Sequence, residues 1–364
     1  MPTSPEEGTE TEPHTAPLVT VVVPMRDEAA SIVDCLNAIS AQDLDLSCLE
    51  VVVVDGSSTD RGAALAAESL ERLGFGSGRV VTNERATTPS NLNVGLGLAA
   101  GEFICRVDAR SLIPADYVRT CVQVLTDRED VAAVGGRQLA IAPRSGPLGA
   151  GIARALNNRF TMGMSRYRRG ASSGPTDTVY LGSYRTAQLR QIGGWNEDFA
   201  TNQDFELNRR VARFGSVWFD ARLEVGYKPR ASLRELWRQY RRFGLWKAMY
   251  WRRTSDPPRP RQVGALVAPP VSLGALLVFA GLGSSSRRAR VATLVMAVVG
   301  AAFALDEAGT EGRPARLSER VAAVMAMVAV MAGWTIGAYE GMLFRRTRRQ
   351  PPHPSSAARD RSIA

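Results

Sequence analysis

Residues 49–55 read LEVVVVD, an unbroken apolar and mostly β-branched run that ends on an aspartate and gives way at once to GSSTD. A strand that is apolar at consecutive rather than alternate positions is buried on both faces, so a sheet of such strands needs helices on either side. The texture recurs through the first third of the chain. Strand-like runs at 18–24 (LVTVVVP), 78–83 (GRVVTN) and 102–108 (EFICRVD) alternate with helical segments at 28–40, 61–74 and 89–100. In the first of these helices Ile32, Val33, Leu36 and Ile39 recur at helical spacing. The pattern predicts a parallel sheet covered on both faces, in which ligands bind beyond the carboxyl ends of the strands. Asp55 and Asp108 each close a strand run at that edge.

Charge narrows the partners. A formal net charge of +9 suits an anionic one, whether nucleic acid, a membrane surface or a phosphorylated substrate. The basic residues gather beside apolar stretches and no nucleic-acid module is present, which argues against nucleic acid. Cys35, Cys48, Cys105 and Cys121 are widely spaced, with no CxxC pair, and read as reduced core thiols rather than a zinc site or a disulfide framework. Residues 1–17 are acidic, polar and proline-containing, unlike a signal peptide, and are expected to form a disordered tail.

The second half changes character. Residues 130–229 are less regular, with RSGPLGAG (144–151) and RRGASSGPTDT (168–178) reading as loops, the latter a mobile segment near a site. Residues 231–253, ASLRELWRQYRRFGLWKAMYWRR, interleave arginines and aromatics at helical spacing, and the region 230–262 is expected to form amphipathic helices in a membrane interface; aromatics entering a core are the alternative. Apolar stretches follow at 263–283, 291–305 and 321–344, within a membrane region of 263–345, before a basic tail at 346–364. A spanning helix needs about 20 apolar residues, which the third stretch supplies alone and the second only with its flanks. Pro269 and Pro270 interrupt the first. Arginine-rich SSSRRAR and RRTRR belong on one side of the bilayer if cytoplasmic loops carry the positive excess, which predicts a re-entrant first segment and two spans, with three spans as the alternative.

Four motifs carry chemistry. PMRDE (24–28) brings Arg26 and carboxylates to the end of the first strand run. In DGSSTD (55–60) Asp55 is suited to accept hydrogen bonds from a base or ribose, while Ser57, Ser58 or Thr59 alone would serve as a helix cap. CRVDAR (105–110) sets Asp108 between Arg106 and Arg110, either to hold a hard divalent cation or to form a local ion pair. GGWNEDFATNQDFELNRRVARFG (193–215) carries Asp204 to the start of a helix, as a helix-terminal charge or a general base. The run VVVPMRDE has no glycine, which excludes a dinucleotide fingerprint and with it an oxidoreductase of that kind.

In this order and spacing the motifs resemble the family 2 glycosyltransferases of GT-A fold over roughly residues 18–250. The likeness is nearest to the membrane-attached bacterial enzymes of the succinoglycan glucosyltransferase type. The resemblance implies a Rossmann-like mixed sheet flanked by helices, a catalytic domain over 18–229, and C-terminal interfacial and transmembrane helices. It implies that Pro24, Arg26, Glu28 and Asp55 line the nucleotide pocket, that Asp108 with Arg106 faces the diphosphate, and that Asp108 holds Mg²⁺ or Mn²⁺. Asp204 would deprotonate the acceptor hydroxyl, with Trp195 and Gln203 on the acceptor side. QYRRF (239–243) is similar to the QxxRW motif, giving Arg242 to the diphosphate and Phe243 to the acceptor.

Three positions depart from the family pattern: Arg110 stands where a second carboxylate is usual, Gln203 replaces an acid, and Phe243 replaces tryptophan. The implied activity is inverting transfer from a nucleotide-diphosphate sugar to a lipid-linked or saccharide acceptor, by a multi-pass protein of the cell membrane with its catalytic domain in the cytoplasm. A membrane scaffold that keeps the fold without catalysis is the alternative.

Overall fold

The computed structural model describes residues 18–158, 161, 172–254, 257–260, 262–267 and 315–343. They belong to two compact units, Met1–Leu139 with Ser165–Lys228, and Ala140–Met164 with Pro229–Ala364. The chain opens with β1 (Val19–Met25), α1 (Ile32–Ser40), β2 (Leu49–Asp55), α2 (Gly62–Leu73), β3 (Ser77–Thr82), α3 (Thr88–Leu98) and β4 (Phe103–Arg106). It continues with β5 (Ser111–Leu112), α4 (Tyr117–Asp127), β6 (Val131–Ala140), α5 (Pro147–Asn157), β7 (Gly174–Pro175) and β8 (Tyr180–Arg185). Then come α6 (Thr186–Gln191), α7 (Gln203–Val211), β9 (Ser216–Tyr227), α8 (Leu233–Thr254) and α9 (Leu317–Leu343).

The first unit is built on a mixed sheet in the order β3-β2-β1-β4-β8-β6-β9-β5, with β7 beside β9. Strands β3, β2, β1 and β4 are parallel, as their apolar runs predict. Beyond β4 the parallel expectation fails, because β8 runs antiparallel to both β4 and β6. Two features disguise the strands there: β6 carries a Gly135–Gly136 pair at an irregular register, and β9 sets polar residues between the buried Val217, Phe219, Leu223 and Val225. That is why 130–229 reads as irregular in sequence.

Every residue of β1, β2 and β4 is buried, since alternate side chains enter two cores on opposite faces. Val21, Val23, Val51 and Val53 join α1 and α4 through Leu36, Ile39, Tyr117 and Leu125. Val22, Val52, Val54 and Ile104 join α3, α6 and α7 through Leu92, Leu189 and Leu207. Cys35, Cys105 and Cys121 are buried free thiols and Cys48 is half-buried, in keeping with the reading of core cysteines. Burial pushes all three buried thiols well above their ordinary range.

Among the described residues of the first unit, Glu50 is the most deeply buried charge. It is 1% exposed, and its carboxylate accepts from Thr20 Oγ1 at 2.5 Å and from the Ala100 amide at 2.8 Å while pairing with Arg79. The group ties β1, β2, β3 and the segment leading into β4 at the amino ends of the strands.

In the second unit, RSGPLGAG departs from its loop reading. Pro147 occupies the first turn of α5, where a missing N–H costs nothing, and the helix continues through Gly149 and Gly151. The other segment read as a loop, 168–178, is described only from 172, where it contains β7.

The arginine-rich segment is one continuous helix, α8, which buries Leu236, Tyr240, Ala248 and Tyr250 among others. It meets α9 along a row of glycines at every fourth position. A Cβ on Gly337 would lie 1.9 Å from the Arg241 carbonyl oxygen, and one on Gly341 2.6 Å from that of Leu245. The backbones therefore approach as only small residues allow, and Arg241 grips Glu340 through bonds of 2.8–3.0 Å.

At 27 residues, α9 is about 40 Å long against a hydrocarbon thickness of about 30 Å. It is the one helix among the described residues long and apolar enough to cross a membrane. Leu317, Val321, Val324, Val328, Ile336 and Leu343 are exposed along it. The re-entrant segment and the second span expected from sequence lie outside the described residues, apart from 263–267.

Removing one partner from a buried charge cluster leaves the others uncompensated, so Glu50→Ala should lower stability by roughly 3 kcal/mol. Urea unfolding followed by tryptophan fluorescence measures it; an unshifted midpoint would show the cluster to be idle.

Candidate active site

Of the loops that leave the carboxyl edge of the parallel strands, those after β1, β2 and β4 carry or adjoin Glu28, Asp55 and Asp108. Those after β1 and β2 are latched together: the Asp27 carboxylate accepts from the Thr59 amide at 2.7 Å, and that of Asp60 accepts from the Ala29 amide at 2.9 Å. Asp27 and Ser57 take the left-handed conformation that these turns require, with φ of 53° and 57°. Pro24 lies within buried β1 opposite Val54, and Arg26 is exposed beside Asp27. Asp55 is 3% exposed and turned onto its own loop, accepting from the Ser58 amide at 3.1 Å and from the Ser58 hydroxyl. Asn91 braces the floor by donating to the Val54 carbonyl at 3.1 Å, and Asn83 in turn donates to Asn91 at 2.8 Å.

The third loop follows β4 and holds the site's strongest electrostatics. Arg106, the last residue of β4, is 7% exposed. Its Nε donates to Asp108 Oδ1 at 2.7 Å and its Nη1 donates to Asp204 Oδ1. Burial opposes its charge, but Asp108 and Asp204 outweigh that and hold it protonated. Arg110 turns away from Asp108 and grips Glu28, its Nε lying 2.7 and 2.8 Å from the two carboxylate oxygens.

Asp204 reaches the site on the first turn of α7, directly after Asn202, whose φ of 65° sets the entry. Gln203 beside it is 8% exposed. The preceding Gly193–Gly194 turn needs φ of 76° and 67°, and Asn93 holds Trp195 by bonds of 2.8 Å to both its amide and its carbonyl. Trp195 is 2% exposed and packs edge-on against Tyr184 at 6.2 Å. Arg210 closes the arrangement, pairing with Glu206 at 2.6 Å and donating to the Ile192 and Gly194 carbonyls at 2.8 Å.

Burial raises the Asp204 carboxyl above its ordinary range; Arg106 pulls it down and the Asp108 charge pushes it up again. Its side chain nonetheless keeps 38% exposure, so the carboxylate has an open face.

Of the residues read from sequence, the structure brings Arg106, Asp108 and Asp204 into one cluster and pairs Glu28 with Arg110. Asp55 stands on the same edge, two strands from β4, a distance of roughly 10 Å. Arg242 and Phe243 lie on α8 in the second unit. There Arg242 lines an open pocket with Arg230, Glu235, Arg238 and Gln239, and Phe243 packs edge-on to Tyr240 at 5.3 Å. Sequence reasoning missed the bracing residues Asn83, Asn91 and Asn93. Only Asn91 and Asn93 left a faint trace, flanking the buried Leu92 in PSNLN, and Asn83 left none.

No three His, Cys, Asp or Glu side chains converge on a cation position among the described residues. A magnesium-like ion needs only one or two carboxylates when substrate phosphates and water supply its other oxygens. Asp108 meets that requirement, with 30% side-chain exposure and Oδ2 not engaged by Arg106.

Residues 20–171 match the family model described as Glycosyl transferase family 2. The succinoglycan biosynthesis protein ExoA of Rhizobium meliloti (strain 1021) is 28% identical over 265 residues, 71% of this chain and 77% of the relative. A Methanococcus voltae protein named dolichyl N-acetyl-alpha-D-glucosaminyl phosphate 3-beta-D-2,3-diacetamido-2,3-dideoxy-beta-D-glucuronosyltransferase is 24% identical over 65% of this chain and 74% of its own. In fold, the chain is similar to the mannosyltransferase PcManGT of Pyrobaculum calidifontis, solved with GDP-Man and Mn²⁺, with a TM-score of 0.59 and 23% identity over 91% and 89% of the two chains.

A carboxyl whose pKa is raised by folding favours the native state below its unfolded pKa, and loses that contribution as pH rises through the folded value. Asp204→Asn should therefore melt no lower than the natural protein near neutrality, and the difference in its favour should grow from pH 4 to 7. Thermal melts across that range test this; a variant that loses ground as pH rises contradicts the raised value.

Proposed function

We propose that this chain, a glycosyltransferase carrying a family 2 domain on a GT-A fold, moves a sugar with inversion from a nucleotide-diphosphate donor to a hydroxyl of a lipid-linked or saccharide acceptor. The observation that carries the reading is the meeting of Asp108 and Asp204, 96 residues apart in sequence (204 − 108), on the two arms of one buried arginine.

The donor side follows from the strand ends. Pro24 and Asp55 lie at the carboxyl ends of β1 and β2, with Arg26 and Glu28 in the loop after β1, and the base and ribose are assigned to this edge. When Asp55 receives a nucleoside, it exchanges bonds with Ser58 for bonds to the ligand. Asp108 would hold Mg²⁺ or Mn²⁺, which supplies positive charge to the departing diphosphate.

Asp204, with its open face, takes the proton of the incoming hydroxyl. The oxygen forms a bond to the anomeric carbon as the bond from that carbon to the diphosphate oxygen breaks, and the electron pair leaves with the nucleoside diphosphate. Attack opposite the leaving group inverts the centre. Trp195 and Gln203, both buried, the latter next to Asp204 in the chain, shape the acceptor side.

The acceptor class follows from the second unit. Arg230, Arg238 and Arg242 share one pocket with a single carboxylate, Glu235, and so favour an anionic group such as a lipid phosphate. Phe243 gives that region an apolar ring. With α9 able to enter a bilayer, the protein acts at the cytoplasmic face of a membrane, where anionic lipids favour arginine-rich surfaces. The relatives named for exopolysaccharide synthesis and for a dolichyl-linked sugar support the same class.

Detergent-solubilised protein, offered a panel of nucleotide sugars with a polyprenyl-phosphate-linked acceptor and Mn²⁺, should transfer sugar. Asp204→Asn should lower turnover by about 10³-fold or more while still binding nucleotide. Normal turnover by that variant would remove Asp204 from the role of base.

A further inference from the structure

We propose that Arg106 is a positioning residue: its guanidinium fixes the separation and orientation of the Asp108 and Asp204 carboxylates, rather than serving as a ligand of the donor. The inference rests on the roles given above to those two acids.

The argument begins with where each group is anchored. Arg106 ends β4, its Cα in register with Val22 of β1, and the amide of Val107 donates to the Val22 carbonyl at 3.0 Å. The arginine thus grows from the interior of the sheet. Asp108 stands beyond the strand, and Asp204 enters behind a left-handed residue after a glycine turn. The side chain on the strand reaches outward to one acid on the loop after β4 and to another on the first turn of α7.

The geometry of the fork matters next. Nε serves Asp108 and Nη1 serves Asp204, so separate donors of one rigid plane are each committed to a different carboxylate. A lysine has its donors on a single atom and cannot hold two acids in fixed relative directions. Arg106 is also 8% exposed in its side chain, against 30% and 38% for the two acids, so the open side of the cluster is made of carboxylate and not of guanidinium. A group meant to receive a diphosphate would present the reverse. The neighbouring cation, Arg110, is engaged by Glu28 and does not substitute. Without Arg106, two like charges would face one another and move apart.

Arg106→Lys and Arg106→Gln, made in the full chain alongside Asp204→Asn, separate the possibilities. Turnover and donor KM are measured with the best donor of the panel, UDP and GDP binding by calorimetry, and folding by thermal melts. Both Arg106 variants should lose about 10²-fold in kcat, the scale set by small misplacements of reacting groups, with KM and nucleotide affinity within about threefold of the natural protein. Should Arg106→Gln fail to fold, Arg106→Lys, which keeps the buried charge, decides the matter alone.

A kcat preserved per folded molecule in Arg106→Lys overturns the proposal, and so does a loss confined to KM and nucleotide affinity, which would make Arg106 a donor ligand. Full activity in Asp204→Asn overturns the functional reading instead, whatever the Arg106 variants do.

Discussion

The site hangs from the register in which β1 lies between β2 and β4. Met25 pairs with Asp55 on one side, and Val22 pairs with Arg106 on the other, so β4 finishes lower on the sheet than β2. That offset opens a step at the carboxyl edge, with Asp55 at its upper end and the arginine at its lower. Because side chains alternate, a slip of one residue in either pairing would send Arg106 and Asp55 to the wrong face. The register is secured away from the site by Glu50 and its three partners at the opposite ends of the strands.

Charge compensation is the second organising theme. Five ionisable groups cluster around the loop after β4, and each acid among them meets an arginine: Asp108 and Asp204 share Arg106, and Glu28 takes Arg110. The sharing leaves the cluster one negative charge in excess, and the exposed oxygens carry it outward. A cation brought by a nucleotide sugar would meet that excess, while the arginine carrying the compensation is withheld below the surface. The departure of Arg110 from the usual acidic residue fits this economy, because its bond to Glu28 joins the loops after β1 and β4.

Much of this was legible in the chain. Consecutive apolar positions in 49–55 and 18–24 gave the parallel half of the sheet, since strands buried on both faces are characteristic of parallel sheets covered by helices. The aspartates at strand ends followed from the same runs. The antiparallel half was harder to read: paired glycines break the apolar run of β6, and β9 alternates Val217, Phe219, Leu223 and Val225 toward the core with polar residues between them, a period obscured by the loops around it. The bracing asparagines were hidden for a different reason. Asn83, in the loop after β3, and Asn91 and Asn93, in α3, act through contacts formed in three dimensions, and polar side chains at such positions ordinarily signal solvent. The convergence of Arg106 on Asp204 is likewise a product of packing, since no local pattern links positions 106 and 204.

The cysteines carry a practical consequence. Nucleophilic sulfur is the thiolate, and three of the four thiols are enclosed within the sheet and its covering helices, where ionisation is strongly disfavoured. Those three thiols are therefore shielded from alkylating reagents, and Cys48 is the most accessible of the four. Single cysteines introduced along the outer surface of α9 could be read with membrane-impermeant maleimides against that background, making sidedness in intact cells a chemical measurement on a nearly natural sequence.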